Sequence, residues 1–372
     1  MAKEKTQKSI HLDATFLVLV LVLLTFGLVM LFSASYAFAL ENYGDSFHFI
    51  KRQAIFAVAG IVGMILVSMV DYHFLKRFVF WIFGASALLL VVVLFMPEQK
   101  GVHRWINLGL FTFQPSEVMK FSLVLLFAYL ISINYKRMGT FRYGIVPFMI
   151  PLAIVLGLLF LEPHLSAMVL TIGICIIMMF VGGVKWRYFA IAGILIVVGA
   201  VGIVLFGGIG YVEARLQSWL DPFSDVQGDT FQTVQSLLAI GSGGFWGLGL
   251  GNSRQKYLYL PEPQNDFIFA IVCEELGFIG AMAVILLFVL FVVRGFIIAA
   301  RAPDRFGSML AVGLTTQIGL QALLNIAVVT NTIPNTGISL PFFSYGGTAL
   351  MMQMLQMGIV LNISRHSAIV KT

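Results

Sequence analysis

The sequence predicts an all-α polytopic membrane protein of about ten transmembrane helices. It forms a single integral domain over residues 1–372, with a large extracellular loop at about 207–266 between helices seven and eight. Three observations predict this. Hydrophobic residues make up 59% of the chain and charged residues 11%, against about 25% charged in ordinary soluble domains. The mean hydropathy is +0.96. Apolar runs of roughly 17–25 residues, the length that crosses a bilayer, recur from one end of the chain to the other.

Lipid offers no partner to an unpaired backbone group, so each run is read as a helix. The spans fall at 14–35, 54–70, 78–96, 117–134, 145–161, 166–183, 188–206, 267–291, 308–329 and 348–363. The first is too long for the apolar core of a cleavable leader and reads as a signal anchor. The break between the fifth and sixth spans is short, Glu162-Pro163-His164. Lys and Arg favour one side about two to one, which puts both termini in the cytoplasm. The 207–266 loop then faces outward.

The formal charge of +6 would suggest nucleic acid in a soluble chain. Here the positive-inside rule accounts for it, so the expected partners are membrane lipids and no nucleic acid. Cys175 and Cys273 lie inside apolar runs and imply neither a disulfide framework nor a zinc site. The six histidines show no metal-binding spacing. His103 and His164 fall outside, where they could touch substrate or, the preferred reading, be solvated loop residues.

Two outer loops carry most of the polar chemistry. In the first, Arg104-Trp105-Ile106 precedes Gln114-Pro115-Ser116-Glu117 and Lys120. Pro115 suits the first turn of a helix and Ser116 could help cap it. Lys120 then lies about one turn, roughly 5 Å, inside the fourth span. It either snorkels to the surface or faces Glu117 or an anionic ligand.

The second loop is about 60 residues long, more than a connector needs. Asp229-Thr230-Phe231-Gln232 resembles a helix start. Phe231, Val234, Leu237 and Leu238 then form an apolar face suited to lying on a membrane surface. The glycine-rich run 241–251 matches neither the P-loop nor the dinucleotide fingerprint. It reads as a flexible re-entrant turn, or as a cradle whose N–H groups approach a phosphate.

Gln317, Gln321 and Asn325 recur every four residues on the ninth span, with Gln353 and Gln356 on the tenth. Interhelical hydrogen bonds or a polar cavity would each explain that stripe. Glu274 lies roughly 12 Å deeper than Asp266. We expect it to be protonated or paired, with Glu275 on the opposite side of the helix. The uncharged 335–347 loop, rich in hydroxyls and glycine, suits a re-entrant segment buried against protein.

Asp266 stands where the long loop meets an apolar helix, at the depth of lipid head groups. An ionisable residue at that rim is a functional candidate; capping the helix is the other reading, and the two are compatible.

At these residues the chain resembles the SEDS family (shape, elongation, division and sporulation), whose branches are FtsW, RodA and SpoVE. The resemblance spans nearly the whole chain. It rests on Arg104-Trp105-Ile106 with Gln114 to Glu117, on Leu260-Pro261-Glu262 through Asp266-Phe267-Ile268-Phe269 and Glu274-Glu275-Leu276-Gly277, and on Leu340-Pro341-Phe342 with Ser344-Tyr345-Gly346-Gly347. Pro261 to Gln264 and the ending Leu361 to His366 look closer to FtsW and SpoVE. Asn265 and Glu162-Pro163-His164-Leu165-Ser166 depart from the family pattern.

The resemblance implies a peptidoglycan glycosyltransferase that polymerises lipid II for division or sporulation wall synthesis. It implies a multi-pass protein of the bacterial cell membrane, at the division septum, partnered by a class B penicillin-binding protein as transpeptidase. Asp266 would be the catalytic carboxylate, acting as general base in an inverting transfer. Arg104, Lys120, Arg215, Gln235, Lys256, Glu262 and Ser344 are the substrate-binding candidates, with Glu117 and Glu274 as intramembrane structural residues. A divalent cation, Mg or Mn, is the one cofactor to expect, with no ligands assigned. Two other readings are a lipid II flippase, motivated by Glu274 and the polar stripe, and a non-enzymatic scaffold for the transpeptidase.

Overall fold

The computed structural model describes residues 12–98, 102–109, 111–194, 219–224, 228, 230–257 and 259–367. Its main helices are α1 (Ala14–Tyr43), α2 (His48–Met69), α3 (His73–Val93), α4 (Pro115–Asn134), α5 (Val146–Leu161), α6 (Leu165–Val181), α7 (Phe231–Gly243), α8 (Ile268–Ala300), α9 (Arg305–Val329) and α10 (Gly347–His366). The protein is a polytopic, mostly helical membrane protein. Seven of the described helical stretches are long and apolar enough to cross a bilayer, and α6 is a shorter apolar helix. Of the seventh expected span, residues 186–194 are helical and the rest lies outside the described residues.

The ends differ from the hydropathy reading. α1 continues to Tyr43 and α8 to Ala300, while α2 begins at His48 and takes Lys51 and Arg52 into its first turns. Cations on an opening turn sit at the water boundary, where backbone hydrogen bonding continues after hydrophobicity has stopped. α4 opens on Pro115, as expected, but Ser116 does not cap it: its Oγ is buried without a hydrogen-bond partner.

α4 and α9 form the centre of the bundle, each with 67% of its apolar stretch buried, whereas α2 and α3 bury 28% and 22% and turn most of their surface outward. α2 packs along α10, α8 along α9, and α3 along α4. At one end of the bundle Asp13 pairs with Arg294 at 2.7 Å, and Tyr72 donates to Asp304 at 3.0 Å. The opposite end gathers the loop before α4, the α5–α6 turn, the segment before α8 and the 335–346 loop.

α7 is not the surface-lying helix that its apolar pattern suggests. It packs on α8 and buries Thr233, Val234, Ser236, Ala239 and Gly243, while Leu238 stays exposed. Small residues decide this, because they let two backbones approach. A Cβ on Gly243 would overlap the carbonyl oxygen of Cys273. The Ser236 hydroxyl adds a 2.8 Å bond to Val329 O.

α8 is broken at Gly277, whose φ of 66° and ψ of −165° leave the helical region. The glycine-rich run fits into that break. Leu248 N and Gly249 N donate to the carbonyls of Glu274 and Glu275 at 3.0 and 2.9 Å, and Phe278 N donates to Gly244 O at 2.9 Å. Leu248 N and Gly249 N are therefore engaged by helix carbonyls rather than presented to a phosphate, which favours the turn reading over the cradle.

Candidate functional site

Asp266 lies just before α8, whose N-cap position is Phe267. It is half-buried. Three successive carbonyls of its segment are fastened from outside. Tyr345 N donates to Gln264 O at 2.8 Å, the Ser344 hydroxyl donates to Asn265 O at 2.6 Å, and Asn325 Nδ2 donates to Asp266 O at 2.7 Å. Gly337, at φ 68°, faces the carboxylate so closely that a Cβ there would lie 3.1 Å from Asp266 Oδ2. Only a residue without a side chain suits both that dihedral and that approach.

The 335–346 loop is buried against protein as its composition suggests. Phe342 and Phe343 insert into the bundle, where Phe343 meets the ring of Phe26 at 5.6 Å and that of Phe288 at 6.1 Å. α9 reads the loop through two of its stripe residues. Asn325 also donates to Ile338 O at 2.6 Å, and Gln321 Nε2 donates to Ser339 O at 3.0 Å. Gln317 and Gln356 are buried with neither amide atom bonded.

Arg104 comes from the loop before α4, beside a two-strand ribbon in which Ile106 pairs with Phe113. Its guanidinium donates to Pro163 O, and its charge interacts with both Glu162 and Asp266. Burial alone would ease loss of its proton, an effect that the two carboxylates oppose. Glu162 is only 1% exposed. Burial pushes its carboxyl up to about 8, a rise that Arg104 partly offsets. His164 is not the solvated loop residue expected: it is buried, and burial together with the charges of Arg104 and Lys120 pushes it down to about 3. It is neutral at every physiological pH.

Lys120 does not snorkel. It is 5% exposed, bonds Glu117 Oε1 at 2.8 Å and lies 3.5 Å from Gln321 Oε1. Glu117 Oε2 is left without a partner. This pair and Arg104 flank the site from the α4 side.

Two substrate-binding candidates are otherwise engaged, and a third is not among the described residues. Lys256 has no exposed surface and pairs with Glu275 at 2.9 Å, so a substrate cannot reach its ammonium group in this conformation. The Ser344 hydroxyl both accepts from Leu340 N at 2.8 Å and donates to Asn265 O, which makes it a clip between two loops. Arg215 lies outside the described residues. Glu262 accepts from Asn265 Nδ2 at 2.7 Å within the Asp266 segment, and Gln235 sits half-buried on α7.

Glu274 is held as a carboxylate clasp rather than by a cation. Arg254 N and Gln255 N donate to it at 2.9 and 3.3 Å, and the Ser253 hydroxyl bonds it as well. The ion pair belongs to its neighbour Glu275, which also takes the Ser33 hydroxyl at 2.6 Å. Sequence reasoning missed Glu162 and Asn325 as members of the site and held His164 as a substrate contact only in second place. The signal for Glu162 was the charge set in a three-residue break between apolar runs.

Comparison with known proteins bears on this arrangement. The family model for the cell cycle proteins FtsW, RodA and SpoVE matches residues 13–369. Stage V sporulation protein E of Bacillus subtilis (strain 168) is 42% identical over 97% of this chain and 99% of its own length. A probable peptidoglycan glycosyltransferase FtsW of Geobacter sp. (strain M18) is 38% identical over 95% of this chain and 96% of its own. Among solved structures, a chain from a peptidoglycan synthase complex that coordinates polymerization and crosslinking is 25% identical, covering 95% of this chain and 98% of that one with a TM-score of 0.80. The rod shape determining protein RodA of Thermus thermophilus is also 25% identical, covering 96% and 97% with a TM-score of 0.70.

Proposed function

This chain belongs to the FtsW/RodA/SpoVE family of cell cycle proteins and is a peptidoglycan glycosyltransferase; from that premise we propose that Asp266 is the base with which it polymerises lipid II. The observation that carries the proposal is the half-buried Asp266 carboxylate, lying against the bare backbone of Gly337 and in the field of Arg104.

In a lipid-linked polymerisation a sugar hydroxyl attacks an anomeric carbon that bears a polyprenyl diphosphate. The hydroxyl proton passes to Asp266, the new C–O bond forms, and the diphosphate leaves with the electron pair of the broken bond. Because the leaving group departs as a stable anion, it needs no protonated acid, unlike the alkoxide of a glycosidase. One carboxylate is enough. General-base assistance is typically worth about 10²–10⁴ in rate, and single displacement turns an α-linked donor into a β-linked glycan. Arg104 supplies positive charge where the diphosphate develops its own negative charge.

A divalent cation, Mg or Mn, would have to be shared with substrate oxygens. Among the described residues no three His, Cys, Asp or Glu side chains gather into a cage. The described residues gather no resident metal site, and the steps above do not pass through a metal.

The reading extends to sidedness and partners. Asp266 faces the outside of the cell and both termini the cytoplasm, on the Lys and Arg bias of the sequence. A class B penicillin-binding protein is the crosslinking partner, and the septum the place of action. The flippase alternative keeps only part of its motive: Glu274 is clasped by the 253–255 turn, and Gln321 and Asn325 bond the loop above them, which leaves the unbonded amides of Gln317 and Gln356.

The test is polymerisation of fluorescent lipid II by the purified protein, with and without the partner and metal. Asp266→Asn is expected to insert and fold yet make no glycan, and normal polymer from it would remove the base assignment. Labelling a cysteine introduced at Asn265 in intact cells tests sidedness, since Cys175 and Cys273 are buried.

A further inference from the structure

We propose that Asn325 is a positioning residue for the polymerisation, acting through Asp266. The inference rests on the reading of Asp266 as base. Asn325 is fully buried on α9. Its Nδ2 carries two hydrogens and meets two carbonyls, Asp266 O at 2.7 Å and Ile338 O at 2.6 Å. Both donors are thus committed, which also fixes the orientation of the amide. One side chain therefore joins the residue that bears the carboxylate to the loop that faces it.

The geometry of the join explains why it matters. Ile338 follows Gly337, whose backbone lies against Asp266 Oδ2. Drawing Ile338 O and Asp266 O onto the same nitrogen sets the spacing between the carboxylate and the Gly337 backbone. One turn earlier on α9, Gln321 holds the next loop residue, Ser339, through both its carbonyl and its hydroxyl at 3.0 and 3.1 Å. Ser344 and Tyr345 hold Asn265 and Gln264 from the far end of the loop. Among these bonds, that of Asn325 is the one made to Asp266 itself. General-base transfer needs the carboxylate within hydrogen-bond reach of the attacking hydroxyl, and a misplacement of about 1 Å can cost about 10²-fold.

The test compares Asn325→Leu, similar in volume but without donors, with the unaltered full-length protein and with Asp266→Asn. Initial rates on fluorescent lipid II are read against substrate concentration, with thermal melting in the same detergent. Positioning predicts that Asn325→Leu lowers kcat per folded molecule about 10–100-fold while KM stays close to that of the unaltered protein; melting falls, because Asp266 O and Ile338 O lose their partner. A kcat per folded molecule that does not change, with Asp266→Asn inactive, overturns the positioning role and leaves the base intact. Activity that falls only in step with folded protein also overturns it. An active Asp266→Asn removes the base reading instead, and this inference with it. Should Asn325→Leu fail to insert, Asn325→Ala removes the same two hydrogen bonds without filling the site with a branched side chain. The same loss in kcat is expected there, and an unchanged rate would overturn the proposal.

Discussion

Lys256 Nζ lies 2.9 Å from Glu275 Oε1, and neither side chain has any exposed surface. The pair ties the segment leading to Asp266 to the helix that follows it, close to the break at Gly277. Breaking a buried pair by removing one partner costs about 3–5 kcal/mol, because the other charge is stranded, whereas replacing both by apolar groups is often neutral. Lys256→Met is therefore expected to lower the melting temperature sharply, and Lys256→Met with Glu275→Leu to recover most of the loss. Melting of the three proteins in detergent checks this. An equal loss in the single and double variants would show that the charges are not coupled.

Gly241 and Gly243 stand two residues apart on α7 in opposite circumstances. A Cβ on Gly241 would meet nothing, whereas one on Gly243 would overlap Cys273 O. Gly241→Ala should be neutral or stabilising by up to about 1 kcal/mol, from the lower backbone entropy of the unfolded chain. Gly243→Ala should force α7 off α8 and reduce the yield of folded protein. Comparing detergent-stable yield and melting for the two variants measures the packing directly.

Glu162 makes stability depend on pH in a defined window. Its folded carboxyl titrates near 8 because it is buried, against about 4.3 in an unfolded chain. Between those values the folded protein holds a proton that the unfolded chain has lost, so rising pH favours unfolding. The contribution is complete below about 4.3 and lost as the pH passes about 8. His164 acts oppositely, below its ordinary value of about 6.5, so the clean window lies above that. Melting should fall from pH 6.5 to 8.5 in the unaltered protein and fall less in Glu162→Gln. Identical slopes would dismiss Glu162 as the cause.

Ser344 separates a structural clip from a substrate contact. Its hydroxyl satisfies Leu340 N and Asn265 O, so Ser344→Ala strands one buried donor and one acceptor. Each stranded group costs about 1–3 kcal/mol. The variant should melt lower while its KM for lipid II holds. A raised KM at unchanged melting would return Ser344 to the substrate.

The sequence carried the bundle well and the site in part. Hydropathy located the spans because insertion depends on the apolar length of each run, a property of one segment at a time. Asp266 was legible for the same reason, as a charge at the edge of such a run. Lys256 read equally well as a loop cation. What it lacked was any mark that residue 275 would be its neighbour. His164 looked solvated because it falls in an outer break between two apolar runs, yet Arg104 donates to Pro163 O there and Ser166 donates to Thr336 O of the neighbouring loop.

By itself, then, the sequence determined the class of protein, the order of its helices and the junction at which a carboxylate stands. The tertiary structure alone decided which charges are paired, which glycines seat a re-entrant turn in the break of α8, and which amide holds Asp266. The physical reason is distance along the chain. Asn325 and Asp266 are 59 residues apart, and nothing in local periodicity says which faces of two helices meet until they are packed.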